Sequence, residues 1–329
     1  MKVLLLGASG LLGHNVLQRL MDEGHSVRAL VRRVGAVQLP GQDWEMVVGT
    51  PTDRHVLSAA AEGCDAIINC AGVTDMSLLR REAYDEVNVD LCRSLLETMS
   101  LQGIKRLVHV STVNTIGYGS AGHPADETAA MREPFSSSFY AQSKAEGERI
   151  VLDAAREHAD WHVVVVNPGY MLGPLDVKPS SGRMLLAAYR RRLMFAPRGG
   201  KSFVDVRDVA AAVVSALEYG QSGRRYIAVS SRGQFGIKKL YALQAQVEGY
   251  RQCIVTLPDW LLLMAGAIGD LVRALGVRTE LSTRNVRQLM VSEYYDNRCA
   301  VDELRMPETD IALSIRDFYL WRQKQTETI

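Results

Sequence analysis

Tyr140 and Lys144 stand four residues apart in the segment YAQSK, the spacing at which two side chains share one face of a helix. A free phenol has a pKa of about 10, too high for efficient proton transfer at neutral pH. An ammonium beside it favours the phenolate and lowers that value. The pair is a candidate for general acid–base chemistry, although the spacing alone is common on helix surfaces. A neighbouring hydroxyl gives it more meaning. The apolar run 107–110 leads into Ser111-Thr112-Val113-Asn114. A hydroxyl at the carboxyl end of a strand can hold a substrate oxygen while the phenol gives or takes the proton.

A second chemical feature opens the chain. In GASGLLG, Gly7, Gly10 and Gly13 follow the first apolar run directly and lead into a helical period. Glycines there permit a tight turn and close approach of a pyrophosphate, and the free N–H groups of the helix N-terminus favour an anion. The spacing is G-x-x-G-x-x-G rather than the commoner G-x-G-x-x-G. Placed at a first strand-to-helix junction it predicts a dinucleotide site built from Gly7, Ser9, Gly10, Leu11 and Leu12. The end of the next strand discriminates between cofactors. An acidic residue there would bind ribose hydroxyls, whereas the chain has Val31-Arg32-Arg33. A guanidinium suits a 2′-phosphate, so the prediction is NADP(H) over NAD(H), with Arg32 as the main contact and Arg33 in support. Lys144 can also bond the nicotinamide ribose. Cys70, Ala71 and Gly72, after Asn69, supply small residues beside the cofactor.

The elements that must position these groups follow from patterning. Apolar runs at 3–6, 26–31, 45–48, 65–69, 106–111 and 162–167 read as strands. Helical periods at 11–23, 54–62, 78–101 and 138–158 lie between most of them. Strands separated by helices imply βαβ units and a parallel sheet, here a Rossmann-type doubly wound α/β fold. The VVVV run at 163–166 fits a strand buried on both faces. After residue 168, prolines and glycines punctuate short strands at 225–229 and 253–256 and helices at 206–219, 237–248, 259–275 and 308–323. This predicts an NADP-binding domain over 1–168, with segments around 200–230 returning to it. Residues 169–329 form mainly a smaller C-terminal α/β substrate lobe over the sheet's carboxyl edge.

Taken together, GASGLLG, NCAG, HVSTVNTIG, YAQSK, NPGYMLGP and FVDVRDVA resemble the extended short-chain dehydrogenase/reductase family, within the NAD-dependent epimerase/dehydratase superfamily. The resemblance covers nearly the whole chain and is strongest over 1–215. It implies hydride transfer between C4 of a nicotinamide and a substrate carbon. It selects Thr112 over Ser111 as the catalytic hydroxyl, leaving Ser111 near the cofactor. It makes Tyr140 the general acid/base, Lys144 its partner and Asn88 an organiser of the site. It places Pro168, Gly169, Tyr170 and Met171 beside the nicotinamide. The chain departs from the pattern in two places. Gly49-Thr50-Pro51 lacks the Asp with which many relatives contact adenine, and Asn167 stands where many have Arg. The helices at 78–101 and 138–158 resemble a pair that forms a four-helix homodimer interface in relatives.

Two substrate classes compete. VRALVR is similar to a segment of NADPH-using dihydroflavonol reductases, and LPDWLLLMAGAIGDLVRALG resembles hydroxysteroid dehydrogenase-like proteins acting on lipidic or polycyclic compounds. That reading predicts a reductase or dehydrogenase acting on one carbonyl or hydroxyl of a small apolar molecule. The alternative is a nucleotide-sugar epimerase or dehydratase, in which the diphosphate-binding arginine position corresponds to Lys201. A third reading, a non-catalytic dinucleotide sensor, does not need Thr112, Tyr140 and Lys144. Net charge is +1, so no global pull toward nucleic acid or an anionic membrane is implied, although a local patch is compatible with it. Five cysteines without C-x-x-C spacing give no disulfide framework, and the expectation is a reducing, cytoplasmic setting. The N-terminal run lacks the length and cleavage site of a signal peptide, and no apolar stretch reaches the roughly 20 residues of a membrane span. His158 and His162 are not expected to bind a metal, because a helix ends between them. The run Arg190-Arg191-Arg192 reads as a solvated helix end that could meet an acidic group.

Overall fold

The first strand alternates its side chains between two buried faces: Val3 and Leu5 enter one core, Leu4 and Leu6 the other. A strand apolar on both sides needs helices above and below it, and the computed structural model, which describes residues 1–37, 39 and 44–327, has that arrangement. The strands are β1 (Lys2–Leu6), β2 (Ser26–Val31), β3 (Trp44–Val48), β4 (Ala66–Asn69), β5 (Arg106–Val110), β6 (His162–Pro168), β7 (Tyr170–Leu172), β8 (Leu193–Ala196), β9 (Gly200–Asp205), β10 (Arg224–Ala228), β11 (Gln234–Gly236) and β12 (Cys253–Thr256). The helices are α1 (Leu11–Asp22), α2 (Arg54–Ala61), α3 (Glu82–Asp85), α4 (Leu91–Gln102), α5 (Phe139–Glu157), α6 (Gly182–Ala188), α7 (Val206–Ser215), α8 (Ile237–Val247), α9 (Asp259–Ala274), α10 (Thr283–Met290), α11 (Arg298–Leu304) and α12 (Ile311–Glu327).

Seven strands form one sheet in the order β10-β6-β5-β4-β1-β2-β3, every pair parallel. Residues of α1, α7 and α11 fill one face; residues of α2, α4 and α5 fill the other. The strand order reverses between β1 and β4, and this switch point leaves a crevice at the carboxyl ends of the strands. The Rossmann-type α/β fold expected from the sequence is therefore the fold observed. A separate core of Leu172, Leu185, Phe203, Phe235, Leu240, Ile315 and Phe318 lies outside the large sheet, around the three-stranded sheet β11-β9-β7.

Three expectations need correction. The helical period 78–101 begins only at Glu82 and is interrupted by one π-helical turn, Glu86–Asp90, before α4. The expected helix 308–323 starts at Ile311, because Thr309 is bound to Asp208 and the Asp310 carboxylate accepts from the Ala312 amide at 2.8 Å. The C-terminal half also holds β7, β8, β9, β11, α6, α10 and α11, too short for periodicity to reveal.

Candidate active site

The glycine turn fits a cofactor sterically. Gly7 has φ +78°, and a Cβ there would lie 2.6 Å from the Ala71 nitrogen. A Cβ on Gly13 would lie 2.0 Å from the Gly7 carbonyl oxygen, so α1 can sit against the turn only with a bare Cα. Gly10 is the N-cap of α1 and offers no side-chain cap, leaving the first-turn amides for an anion. Ser9 is half-buried, Gly10 exposed, Leu11 half-buried and Leu12 buried. Arg32 and Arg33 follow β2 directly and are exposed; among the described residues neither guanidinium has a hydrogen-bond or ion-pair partner. Asp53, the carboxylate nearest the missing adenine contact, instead caps α2 by accepting from the His55 and Val56 amides.

Ser138 begins α5 as its N-cap, so Tyr140 and Lys144 fall in the helix's first two turns. Thr112 ends the β5 segment in extended backbone. Its hydroxyl accepts from the Asn114 amide at 3.3 Å and lies near enough to the Tyr140 phenol to favour the phenolate. Burial pushes the phenol above its ordinary value of 10.0, and Thr112 pulls the other way. This differs from the sequence expectation that the lysine lowers it. Lys144 Nζ, itself buried, donates to the Val110 carbonyl at 2.7 Å. Burial lowers the Lys144 pKa, while Cys92, Glu148 and Cys70 raise it. Ser111 is buried and its hydroxyl has no partner among the described residues, leaving a polar atom to be satisfied at the end of β5. Cys70 is a neutral thiol, pushed up to about 12 by burial.

Asn88 lies in the π-helical turn, where the extra residue re-aims a side chain. Its Oδ1 accepts from the Val73 amide at 2.8 Å, and its Nδ2 donates to the Val73 carbonyl at 3.1 Å and to Ser143 Oγ at 2.9 Å. It therefore fastens the segment after β4 to α5. A Cβ at Gly72 would sit 3.5 Å from Asn88 Oδ1 and 3.9 Å from Lys144 Nζ, so NCAG, Asn88 and Lys144 meet. Gly147 permits the approach of α5: a Cβ there would lie 2.1 Å from the Asn88 carbonyl oxygen.

The 168–171 segment divides. Pro168 closes β6 opposite Ala228, and the Gly169 amide donates to Ala228 at 3.0 Å. Tyr170 turns into the lobe core, its ring edge-on to Phe203 and its hydroxyl donating to Ser181 at 3.1 Å, whereas Met171 packs against the sheet core.

Several site residues escaped the sequence reading. Glu148 is buried one turn beyond Lys144. Its Oε2 accepts from Thr115 Oγ1 at 2.9 Å and Asn167 Nδ2 at 2.8 Å, and its Oε1 from Arg225 Nη1 at 2.9 Å. Asn167 Nδ2 also donates to the Thr112 carbonyl at 3.0 Å. The guanidinium absent at 167 is thus supplied from β10. Arg273 of α9 donates to the carbonyls of Met76, Ser77 and Leu78, clamping the segment before α3. Beside Phe139, a cavity of about 350 Å³ is lined by Leu79, Phe139, Asp270, Arg273, Ser282 and Arg284. Only Phe139, next to Tyr140, carried a local signal. Lys201 is not available to a ligand. Its ammonium is held between the Glu293 carboxylate and the Gln288 carbonyl. His158 and His162 are spent separately, one stacked on Trp161 and the other bonded to the Ala216 carbonyl.

A doubly wound parallel sheet with a glycine turn at its switch point defines a dinucleotide-binding α/β enzyme. The sequence profile described as "NAD dependent epimerase/dehydratase family" matches residues 3–229, and the chain belongs to that family, as an NAD(P)-dependent short-chain dehydrogenase/reductase of the extended type. A Synechocystis sp. protein provisionally named a dihydroflavonol 4-reductase is 32% identical over 326 residues, 96% of this chain and 93% of the relative. Sterol demethylase protein B of Methylococcus capsulatus is 32% identical over 241 residues, 72% of each chain. Among solved structures, gox2253 superposes with a TM-score of 0.82 at 26% identity, covering 98% of both chains. The UDP-glucose 4-epimerase of Thermotoga maritima does so at 0.79 with 18% identity, covering 99% of this chain and 100% of that one, a likeness of fold.

Proposed function

We propose that the chain is an NADP(H)-dependent reductase of a single carbonyl on a small apolar molecule. The observation that carries this reading is the meeting of Tyr140 and Lys144 in the first turns of α5 with Thr112 at the carboxyl edge of β5, the Lys144 Nζ donating to the Val110 carbonyl at 2.7 Å, on the sheet that bears the glycine turn. The turn, the uncapped start of α1 and the unpartnered Ser111 hydroxyl suit a dinucleotide; Arg32, with Arg33 in support, suits its 2′-phosphate. When bound, the reduced nicotinamide supplies a hydride from C4 to the carbonyl carbon. Thr112 orients the substrate oxygen by a hydrogen bond. Tyr140 gives that oxygen its proton, so the product is the alcohol and the phenolate is reprotonated from solvent. Lys144 would hold the nicotinamide ribose, and Asn88 fixes α5 against the segment after β4.

The substrate class rests on two features. Lys201, at the position that would hold a sugar diphosphate, is sealed against Glu293. The cavity beside Phe139 is lined by Leu79 and the Phe139 ring, over which Arg284 lies at 4.0 Å, together with Asp270, Arg273 and Ser282. The names of relatives point the same way: ceramide reductase of Caulobacter vibrioides is 30% identical over 274 residues, covering 82% of this chain and 77% of that one. The test is NADPH oxidation with a panel of apolar ketones beside a panel of nucleotide sugars. Turnover of a ketone with no conversion of any sugar is the expected result, and the reverse pattern replaces this reading with the epimerase one.

A further inference from the structure

Helix α9 is built inside out. Its buried residues are two glycines, Gly266 and Gly269, against which Leu281, Ser282 and Thr283 pack. Its exposed face carries Trp260 at 61%, Met264 at 54%, Ile268 at 61%, Leu271 at 66% and Leu275 at 77%. These positions recur at helical spacing, so they form one apolar stripe along a helix about 24 Å long. A surface helix of a soluble domain normally presents the opposite pattern, and an apolar patch of this kind marks an interaction surface. The one acidic side chain in the middle of the helix, Asp270, is turned to the Thr283 amide.

The stripe has a companion. Only Leu257 and Pro258 separate α9 from the parallel ribbon β8–β12, in which Leu193, Phe195 and Val255 are exposed at 50%, 49% and 43%. Around those side chains the charge is predominantly positive, Glu248 near Arg190 being the acidic neighbour. Arg190, Arg191, Arg192 and Arg198 flank β8 and Arg251 precedes β12, all exposed. No acidic residue lies within 190–198 or 249–258, and among the described residues none of the five arginines forms an ion pair. Apolar side chains rimmed by unpaired arginines match the layered chemistry of a lipid surface, hydrocarbon beneath anionic headgroups. No described helix is long and apolar enough to cross a membrane, so the geometry is that of lying on the surface.

We propose that the exposed stripe of α9 and the β8–β12 ribbon together form a docking surface for an anionic lipid bilayer. This goes beyond the reductase reading and does not depend on it. Arg273 of the same helix clamps the segment before α3 and lines the cavity beside Phe139. The experiment is co-sedimentation of the full chain with phosphatidylcholine vesicles containing phosphatidylglycerol and with vesicles of phosphatidylcholine alone, at low and high salt. The expected result is recovery with the anionic vesicles that falls with salt. Partitioning drops by about tenfold or more in an Ile268→Glu/Leu271→Glu variant. The charge-reversed Arg191→Glu/Arg192→Glu variant, far from the stripe's packing, loses the anionic preference, and the melting temperatures of both variants confirm folding. Failure to sediment with either vesicle, or equal recovery with both, overturns the proposal. So does self-association in light scattering that the Ile268→Glu/Leu271→Glu variant abolishes, since the covering partner would then be a second copy. None of these readouts uses NADPH turnover, so the reductase reading stands or falls separately.

Discussion

Tyr140 is held as a neutral phenol by its surroundings, and the pH dependence of reduction should report that. The acid must be protonated to act, and burial raises its pKa above 10.0. Reduction is therefore expected to stay level through pH 7–9 as far as Tyr140 is concerned, and to fall only when the pH passes the raised value, a limb visible in the log of kcat/KM against pH. Tyr140→Phe should lower turnover about 10²- to 10⁴-fold while leaving NADPH affinity nearly intact, a split measured by steady-state kinetics beside cofactor titration. Unchanged turnover removes Tyr140 from the chemistry. Arg32 makes a separate prediction: a guanidinium paired with a phosphate contributes about 1.5–3 kcal/mol, so Arg32→Ala should weaken NADPH roughly ten- to a hundredfold and leave NADH unchanged. An unaltered NADPH/NADH preference would falsify the assignment. The positions of both residues in the fold were legible because each follows a strand or cap that the sequence marks plainly. The raised phenol was not, since it depends on how completely α5 and the end of β5 exclude water.

At the scale of elements, the strands of the sheet were readable where both faces are apolar, as in 3–6 and 163–166, because burial on two sides leaves no alternation to misread. The lobe was readable only in part: β12 at 253–256 and helices α8 and α9 were marked by their patterns, whereas β8, the partner of β12, has mixed exposure and lies about sixty residues before it, in a short run that fits loop or strand equally well. The π-helical turn at Asn88 was hidden for a related reason: one inserted residue shifts a helical period without breaking it. The partner of Glu148 was hidden by distance, Arg225 lying 77 residues on. That pair ties β10 to α5 and, through Asn167 and Thr115, to Thr112. Arg225→Ala strands a carboxylate whose side chain is 3% exposed. Chemical denaturation should show a loss of about 3 kcal/mol, the lower end for a broken buried pair because Arg225 is itself 25% exposed. Adding Glu148→Gln should restore part of that loss; no restoration would mean that Arg225 matters through its packing.

For the whole molecule, the two candidate contact surfaces differ in kind. The α4–α5 layer, which resembles the dimer-forming pair of relatives, carries an outer face of charges such as Arg93 with Glu146, Arg54 with Glu97 and Arg149 with Asp153. A homodimer through it would be polar and therefore salt-sensitive. Light scattering should give a dimer mass at low ionic strength that shrinks toward the monomer as salt is added, and a monomer mass throughout removes the dimer.

The sealed pair of Lys201 and Glu293 bears on how such a chain can change over generations. Its two members lie 92 positions apart, and removing the Lys201 cation alone strands a Glu293 carboxylate whose side chain is 3% exposed, at about 3–5 kcal/mol, while an arginine at 201 would be held by that same carboxylate. That is a large share of the stability of an ordinary domain. A lineage drifting from this chain toward diphosphate-bearing substrates could not reach a usable arginine at 201 by single steps of rising fitness. It would first have to neutralise Glu293, and until then the ancestral specificity is protected by the order in which mutations can be tolerated.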